Sequence, residues 1–213
     1  MCGNWHWRMD AALPFRDRED AARRLAAALA PYRGSHPVVL AIPRGAVPMA
    51  RIIANALDGD LDVVLVRKLG APGNPEFAIG AVDERGQVML DQSFADSSGA
   101  SPGYVRQETE RQLALIRERR RLYGGGDAGI ALAGRTVIVV DDGLATGATM
   151  LAALRAARAQ RPARLVCAVP VGARESVAQV ARVADEVVCL ATPSPFGAVG
   201  LYYRAFDQVD DDA

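Results

Sequence analysis

Five short apolar runs limit most strongly what this chain can fold into: PVVLAI (37–42), LDVVLV (61–66), TVIVV (136–140), RLVCAVPV (164–171) and EVVCLA (186–191). Each shows little polar alternation, which marks a strand covered on both faces. Helical periodicity separates them. Ala21, Ala22, Leu25, Ala28 and Leu29 recur at helical spacing over 17–32, and Gly34 ends the pattern. Pro48 opens a second segment with Ile52, Ile53, Ala56 and Leu57 apolar. Further helices are expected over 104–123, 148–160 and 175–183. Strands that alternate with helices imply right-handed crossovers and a mostly parallel sheet. The expected fold is therefore α/β, a Rossmann-like parallel sheet flanked by helices, in one domain of 213 residues. FAIGAV and QVML, split by Asp83-Glu84-Arg85-Gly86, read as a hairpin. The polar stretch 91–103 reads as mobile, and GGGDAG (124–129) as a linker.

Half of the residues are apolar and 23% are charged, so a packed core is achievable and wholesale disorder is excluded. Acidic and basic residues balance at 25 each, which removes the case for binding nucleic acid or membrane with the whole surface. No run approaches the roughly 20 apolar residues that span a bilayer. The start, MCGNWHWRMDAALP, has no apolar segment of signal-peptide type. Cys2, Cys167 and Cys189 have no metal-like spacing, and the last two lie in apolar runs as buried thiols. The expected location is cytoplasmic. His6 and His36 are the two histidines, too few for a histidine-rich metal site and poorly placed for a Ser-His-Asp triad. The stretch 106–121 carries six arginines and three glutamates. It reads as a solvated helix face, with an RNA-binding or subunit surface as the other reading.

In open parallel sheets ligands bind beyond the carboxyl ends of the strands. Three segments have chemistry there. The first is VIVVDDGLATGATM (137–150), where a buried strand delivers Asp141 and Asp142 to a loop rich in Gly, Ala and Thr that opens a helix. Small residues let amides approach an anion, the new helix adds its positive end, and Thr146 and Thr149 add hydroxyls. Two carboxylates beside a phosphate need another partner, and sugar hydroxyls suit them because ionised carboxylates only accept. The string describes a sugar phosphate. The plainer alternative is a strand-ending turn whose threonines cap a helix. No GxxxxGK[ST] or GxGxxG stands at a strand end. The second segment is AIPRGAVP (41–48), with Arg44-Gly45 in a tight turn. The third is VRKLGAPGNPEFAIGAV (66–82), with Arg67 and the only lysine, Lys68, directly after a strand. Glu76 in that segment could meet an acceptor or cap a strand.

The first segment resembles the phosphoribosyl-pyrophosphate (PRPP) signature of type I phosphoribosyltransferases, and the likeness extends from about residue 15 to 206. It implies a parallel sheet with flanking helices and a small hood subdomain. We place the core at about 15–190, and the hood at about 191–213 plus N-terminal residues. The resemblance implies that Asp141 and Asp142 bind the ribose 2′ and 3′ hydroxyls. Ala145, Thr146, Gly147, Ala148 and Thr149 would enclose the 5′-phosphate, and Gly143 is a further substrate-binding position. Arg44 and Gly45 match the family's pyrophosphate loop, which often holds a non-proline cis peptide. Arg67 and Lys68 match its basic strand end. Mg²⁺ would enter bound to PRPP, with Asp141 and Asp142 as further ligands. Residues from Asp91 match the family's lid in place and polarity. PSPFGAVGLYYRAF (193–206) is similar to the hood of purine enzymes, with Phe196 the base-stacking candidate and core packing of Phe196, Tyr202 and Tyr203 the plainer reading, although the lysine those enzymes set beside the base is lacking. The implied activity transfers ribosyl-5-phosphate from PRPP to a nucleobase-like nitrogen acceptor. The alternative is a non-catalytic sensor of PRPP or a nucleotide. Expected partners are PRPP and a small-molecule acceptor, without membrane or nucleic acid, and a homodimer is the candidate assembly.

Overall fold

The computed structural model describes residues 12–123 and 129–207, and the backbone of residues 5–7. Cys2, most of the linker (124–128) and the C-terminal 208–213 lie outside the described residues. The chain order is β1 (Trp5–Trp7), α1 (Arg18–Ala28), β2 (Val38–Ala41), α2 (Val47–Leu57), β3 (Asp60–Val63), β4 (Val66–Ala71), β5 (Asn74–Asp83) and β6 (Val88–Leu90). It continues with α3 (Gln92–Ser97), α4 (Pro102–Leu122), β7 (Thr136–Val140), α5 (Ala148–Ala159), β8 (Arg164–Val171), α6 (Arg174–Val180) and β9 (Glu186–Ala191). Among the described residues no helix is long and apolar enough to cross a membrane.

Six strands form one sheet in the order β1-β9-β8-β7-β2-β3, and all neighbours run parallel. The apolar runs lack polar alternation because both faces are covered. Val39, Ala41, Ile138 and Val140 pack with α1 and α2, while Val38, Leu40, Val137 and Val139 pack with α5 and α6. Cys167 and Cys189 are buried free thiols in β8 and β9, and burial pushes the Cys189 thiol up to about 12. α1 begins where Asp17 accepts from the Asp20 amide, a side-chain cap of the first turn.

A second sheet is antiparallel, β4-β5-β6. The expected hairpin is β5–β6, with Asp83 Oδ1 accepting from the amides of Arg85 and Gln87 across the turn. The run 61–66 is not one strand. The Val64 amide still reaches Ala41 of the parallel sheet, and from Val66 the chain pairs with β5 instead. The second sheet thus draws all its strands from 66–90. Residues 5–7 pair with β9 in the main sheet. The polar stretch 91–103 forms α3, capped by Asp91, and then the Ser101 cap of α4. The arginine-rich helix α4 is not simply a solvated face. It buries Glu108, Gln112, Ile116 and Arg120, and the Arg120 guanidinium grips both carboxylate oxygens of Asp62 at 2.8 and 3.1 Å.

Candidate active site

The strand order reverses between β2 and β7, since β3 lies outward of β2 and β8 outward of β7. Loops leaving two such strands diverge and open a crevice at their carboxyl ends. The two strands end level: Ala41 faces Val140, and the Ile42 amide donates to the Val140 carbonyl at 3.0 Å. Two of the three sequence segments therefore leave the sheet side by side. The turn after β2 holds a cis peptide between Pro43 and Arg44, as the resemblance implies, and the Arg44 side chain is exposed. A Cβ at Gly45 would lie 2.3 Å from Asp142 Oδ2. The glycine is required by this close approach, which brings Arg44-Gly45 against the acid pair.

Asp141 and Asp142 are partly buried. Burial and the neighbouring Asp142 charge push the Asp141 carboxyl up to about 8. Burial also raises Asp142, against the lowering effect of Arg18, whose Nε and Nη2 donate to its Oδ2, each at 3.0 Å. The Asp142 carbonyl accepts from the hydroxyl of buried Tyr203 at 2.5 Å. Folded Asp141 keeps a proton that an unfolded aspartate, near 3.8, has lost. Ionising it therefore opposes folding, increasingly so from about pH 4 to about pH 8. We expect Asp141→Asn to stabilise the ligand-free, metal-free protein by about 2 kcal/mol at pH 8, well below the full shift because the site opens to solvent. That corresponds to roughly 4–8 °C in melting temperature for a chain of this size. The gain should shrink towards pH 5. Melting curves at pH 5, 7 and 8 check this, and a gain that is flat or grows at low pH contradicts it.

The loop after β7 is held from behind. The Leu144 amide donates to Val171, and the Ala173 amide returns to Leu144. Ser176 Oγ on α6 donates to the Ala145 carbonyl at 2.5 Å. Gly147, at φ 78°, sits at the N-cap of α5. Ala145, Thr146, Ala148 and Thr149 are exposed around it. The first-turn amides of α5 have no intrahelical partners and are available to an anion. Gly143 has a different neighbour, since a Cβ there would meet the Val199 side chain at 2.4 Å. Its small size admits the C-terminal segment. Removing the Ser176 hydroxyl leaves one part-buried bond to the Ala145 carbonyl unmade, so Ser176→Ala should cost about 1 kcal/mol of stability. It should also weaken ribose-5-phosphate binding by loosening the loop. Thermal melting and titration of the same variant check both parts, and parent-like affinity contradicts the second.

The third segment lies in the antiparallel sheet. Arg67 and Lys68 fall within β4, not after a strand. Arg67 Nε donates to Gln112 of α4 at 2.6 Å, and Lys68 pairs with exposed Glu76 across the β4–β5 hairpin at 2.8 Å. Burial and the nearby Arg119 and Arg111 lower the Arg67 pKa, so positive charge is crowded at this part of the antiparallel sheet. Phe196 is half-buried and tilts against Tyr202, ring centroids 5.1 Å apart.

Sequence reasoning missed Arg18, Tyr203, Phe206 and Ser176. Arg18 carries a faint signal. A cation in the first turn of a helix opposes the helix dipole, so an arginine there calls for an anion nearby. The others are ordinary residues until tertiary contact gives them a task.

Comparison with known proteins agrees with this geometry. Relatives in two Mycobacterium tuberculosis strains, CDC 1551 and H37Rv, each bear the provisional name phosphoribosyl transferase and are 45% identical over 198 residues, 93% of this chain. The chain spans 45% of the length of each. The crystal structure of TT1426 from Thermus thermophilus is 47% identical, with a TM-score of 0.82, covering 94% of this chain and 95% of that one. The phosphoribosyl transferase domain model matches residues 13–204, which takes in both convergent loops, the acid pair and the antiparallel sheet. This chain belongs to the phosphoribosyl transferase domain family.

Proposed function

We propose that the protein transfers ribosyl-5-phosphate from PRPP to a nucleobase-like nitrogen acceptor and releases pyrophosphate. The observation that carries this reading is the contact between the two loops. Gly45 lies so close to Asp142 that one ligand can touch the turn after β2 and the acids after β7 together. PRPP has the matching layout, with pyrophosphate beside a diol and a 5′-phosphate beyond it. Asp141 and Asp142 would take the hydroxyls. Residues 145–149 would hold the 5′-phosphate at the α5 N-terminus.

The bond from the anomeric carbon to pyrophosphate breaks, a carbon–nitrogen bond forms, and the acceptor's proton passes to solvent or to the leaving group. Positive charge develops on the ring as in glycoside chemistry. Arg44, Arg67 and Lys68 would offset the charge gathering on pyrophosphate. Fixing the sugar at both ends supplies the orientation. Mg²⁺ suits this donor set, since it is commonly held by one or two carboxylates together with substrate phosphates. Asp141 and Asp142 would hold it, and it would neutralise diphosphate charge. Phe196 is the candidate surface for the acceptor ring.

Titration with PRPP–Mg²⁺, followed by a pyrophosphate-release screen over nucleobases, tests the reading. The expected result is binding, with release from one acceptor class. Binding without release from any base would instead fit a sensor on the same fold, because fold alone does not establish catalysis.

A further inference from the structure

Segments far apart in sequence meet on one guanidinium. Arg18 is the first residue of α1, and its side chain is only 15% exposed. Nε and Nη2 both donate to Asp142 Oδ2, while Nη1 donates to the Asp207 carbonyl at 2.6 Å. Cζ lies 3.8 Å from the centroid of the Phe206 ring. A Cβ at Gly45 would stand 3.2 Å from Arg18 Nε, so the turn after β2 closes against the same ion pair. Phe206 in turn stacks on Tyr203, centroids 4.9 Å apart, and the Tyr203 hydroxyl holds the Asp142 carbonyl. The arginine thus ties the start of α1 and the C-terminal segment to a single carboxylate oxygen.

This arrangement is directional. A carboxylate offers two oxygens, and a forked guanidinium that spends two donors on one of them pins that oxygen and leaves the other open. Lysine could supply the charge but not the fork. An ion pair so poorly exposed is weak as a stabilising device, because desolvation offsets much of its attraction. Its value lies in orientation.

We propose that Arg18 is a positioning residue for the sugar-binding acid: it holds Asp142 by Oδ2, leaving Oδ1 to the sugar hydroxyls, and Phe206 and Asp207 hold Arg18 in turn. The inference rests on the reading of Asp142 as a diol contact. It makes the C-terminal segment part of the ribose site without touching the ligand. Loss of the arginine should harm recognition of the sugar and spare recognition of the phosphate, which is bound by the separate loop at α5.

The test titrates ribose-5-phosphate and inorganic phosphate into the full chain, its Arg18→Ala and Arg18→Lys variants, and Asp142→Asn, with melting temperatures on each preparation. Arg18→Ala should weaken ribose-5-phosphate about tenfold, the loss expected for a charged hydrogen bond, and leave inorganic phosphate within about twofold. Arg18→Lys should recover part of that loss. Equal losses for both probes would mean a structural role and overturn the proposal. Unchanged ribose-5-phosphate affinity in Arg18→Ala alongside a loss in Asp142→Asn would also overturn it, with the diol reading intact. If Asp142→Asn too is unchanged, the diol reading fails and the proposal with it. Should Arg18→Ala not fold, Arg18→Lys decides: a loss of several-fold confined to ribose-5-phosphate supports positioning, and parent-like binding of both probes overturns it.

Discussion

Gly147→Val should abolish binding of both PRPP and ribose-5-phosphate while the protein still folds. Gly147 has φ 78°, a backbone region that a β-branched residue enters only at about 1–3 kcal/mol. A Cβ there would meet Ser176 Cβ at 3.4 Å, an ordinary contact, so the first added atom is tolerated in space. The two further methyl groups of valine must go elsewhere, either against Ser176 or out over the loop. Over the loop they stand among the amides of 145–149, where an anion would sit. The phosphate subsite therefore suffers twice, from shifted backbone and from added bulk. Gly147→Ala, with the same backbone strain and less bulk, should bind measurably but more weakly. A capped turn with no ligand predicts the other balance, lower stability and unchanged affinity in molecules that remain folded. Melting temperature and both affinities on one preparation separate these outcomes.

Gly45→Ala should weaken PRPP at least tenfold through a contact that no local pattern reveals. Its Cβ would fall 2.3 Å from Asp142 Oδ2 and 3.2 Å from Arg18 Nε. Something must move, and overpacking of this kind costs about 1–3 kcal/mol. The movable partners are the turn itself and the ion pair. Either shift separates the turn after β2 from the acids after β7, so on the proposed reading the loss should be much larger for PRPP than for inorganic phosphate. Equal affinity for PRPP in parent and variant, by titration, would show that the two loops do not act on one ligand.

The parts legible in sequence are those in which local pattern and tertiary role coincide. The strands TVIVV and RLVCAVPV declare themselves because burial on both faces removes polar alternation. The acid pair and the Gly-Ala-Thr loop stand out because they are consecutive in sequence, so one window places them at the same strand end. β1 escapes notice because three residues flanked by polar chain carry too little pattern. β4 escapes because Arg67 and Lys68 look like a strand's end, and only pairing with β5 shows them inside a strand. In 91–103 small polar residues suggest mobility, yet Asp91 and Ser101 use that polarity as helix caps. Arg18 and Tyr203 stand 124 and 61 residues from Asp142, and no window over the sequence joins them.

The measurement that bears most directly on the account is titration of PRPP–Mg²⁺ into the parent and the Asp141→Asn/Asp142→Asn double variant. A hydrogen bond to a charged group is worth about 1.5–3 kcal/mol, or roughly 10- to 100-fold in affinity. At least that loss is expected in the double variant, measured on folded protein. Equal affinity in the two proteins would contradict it.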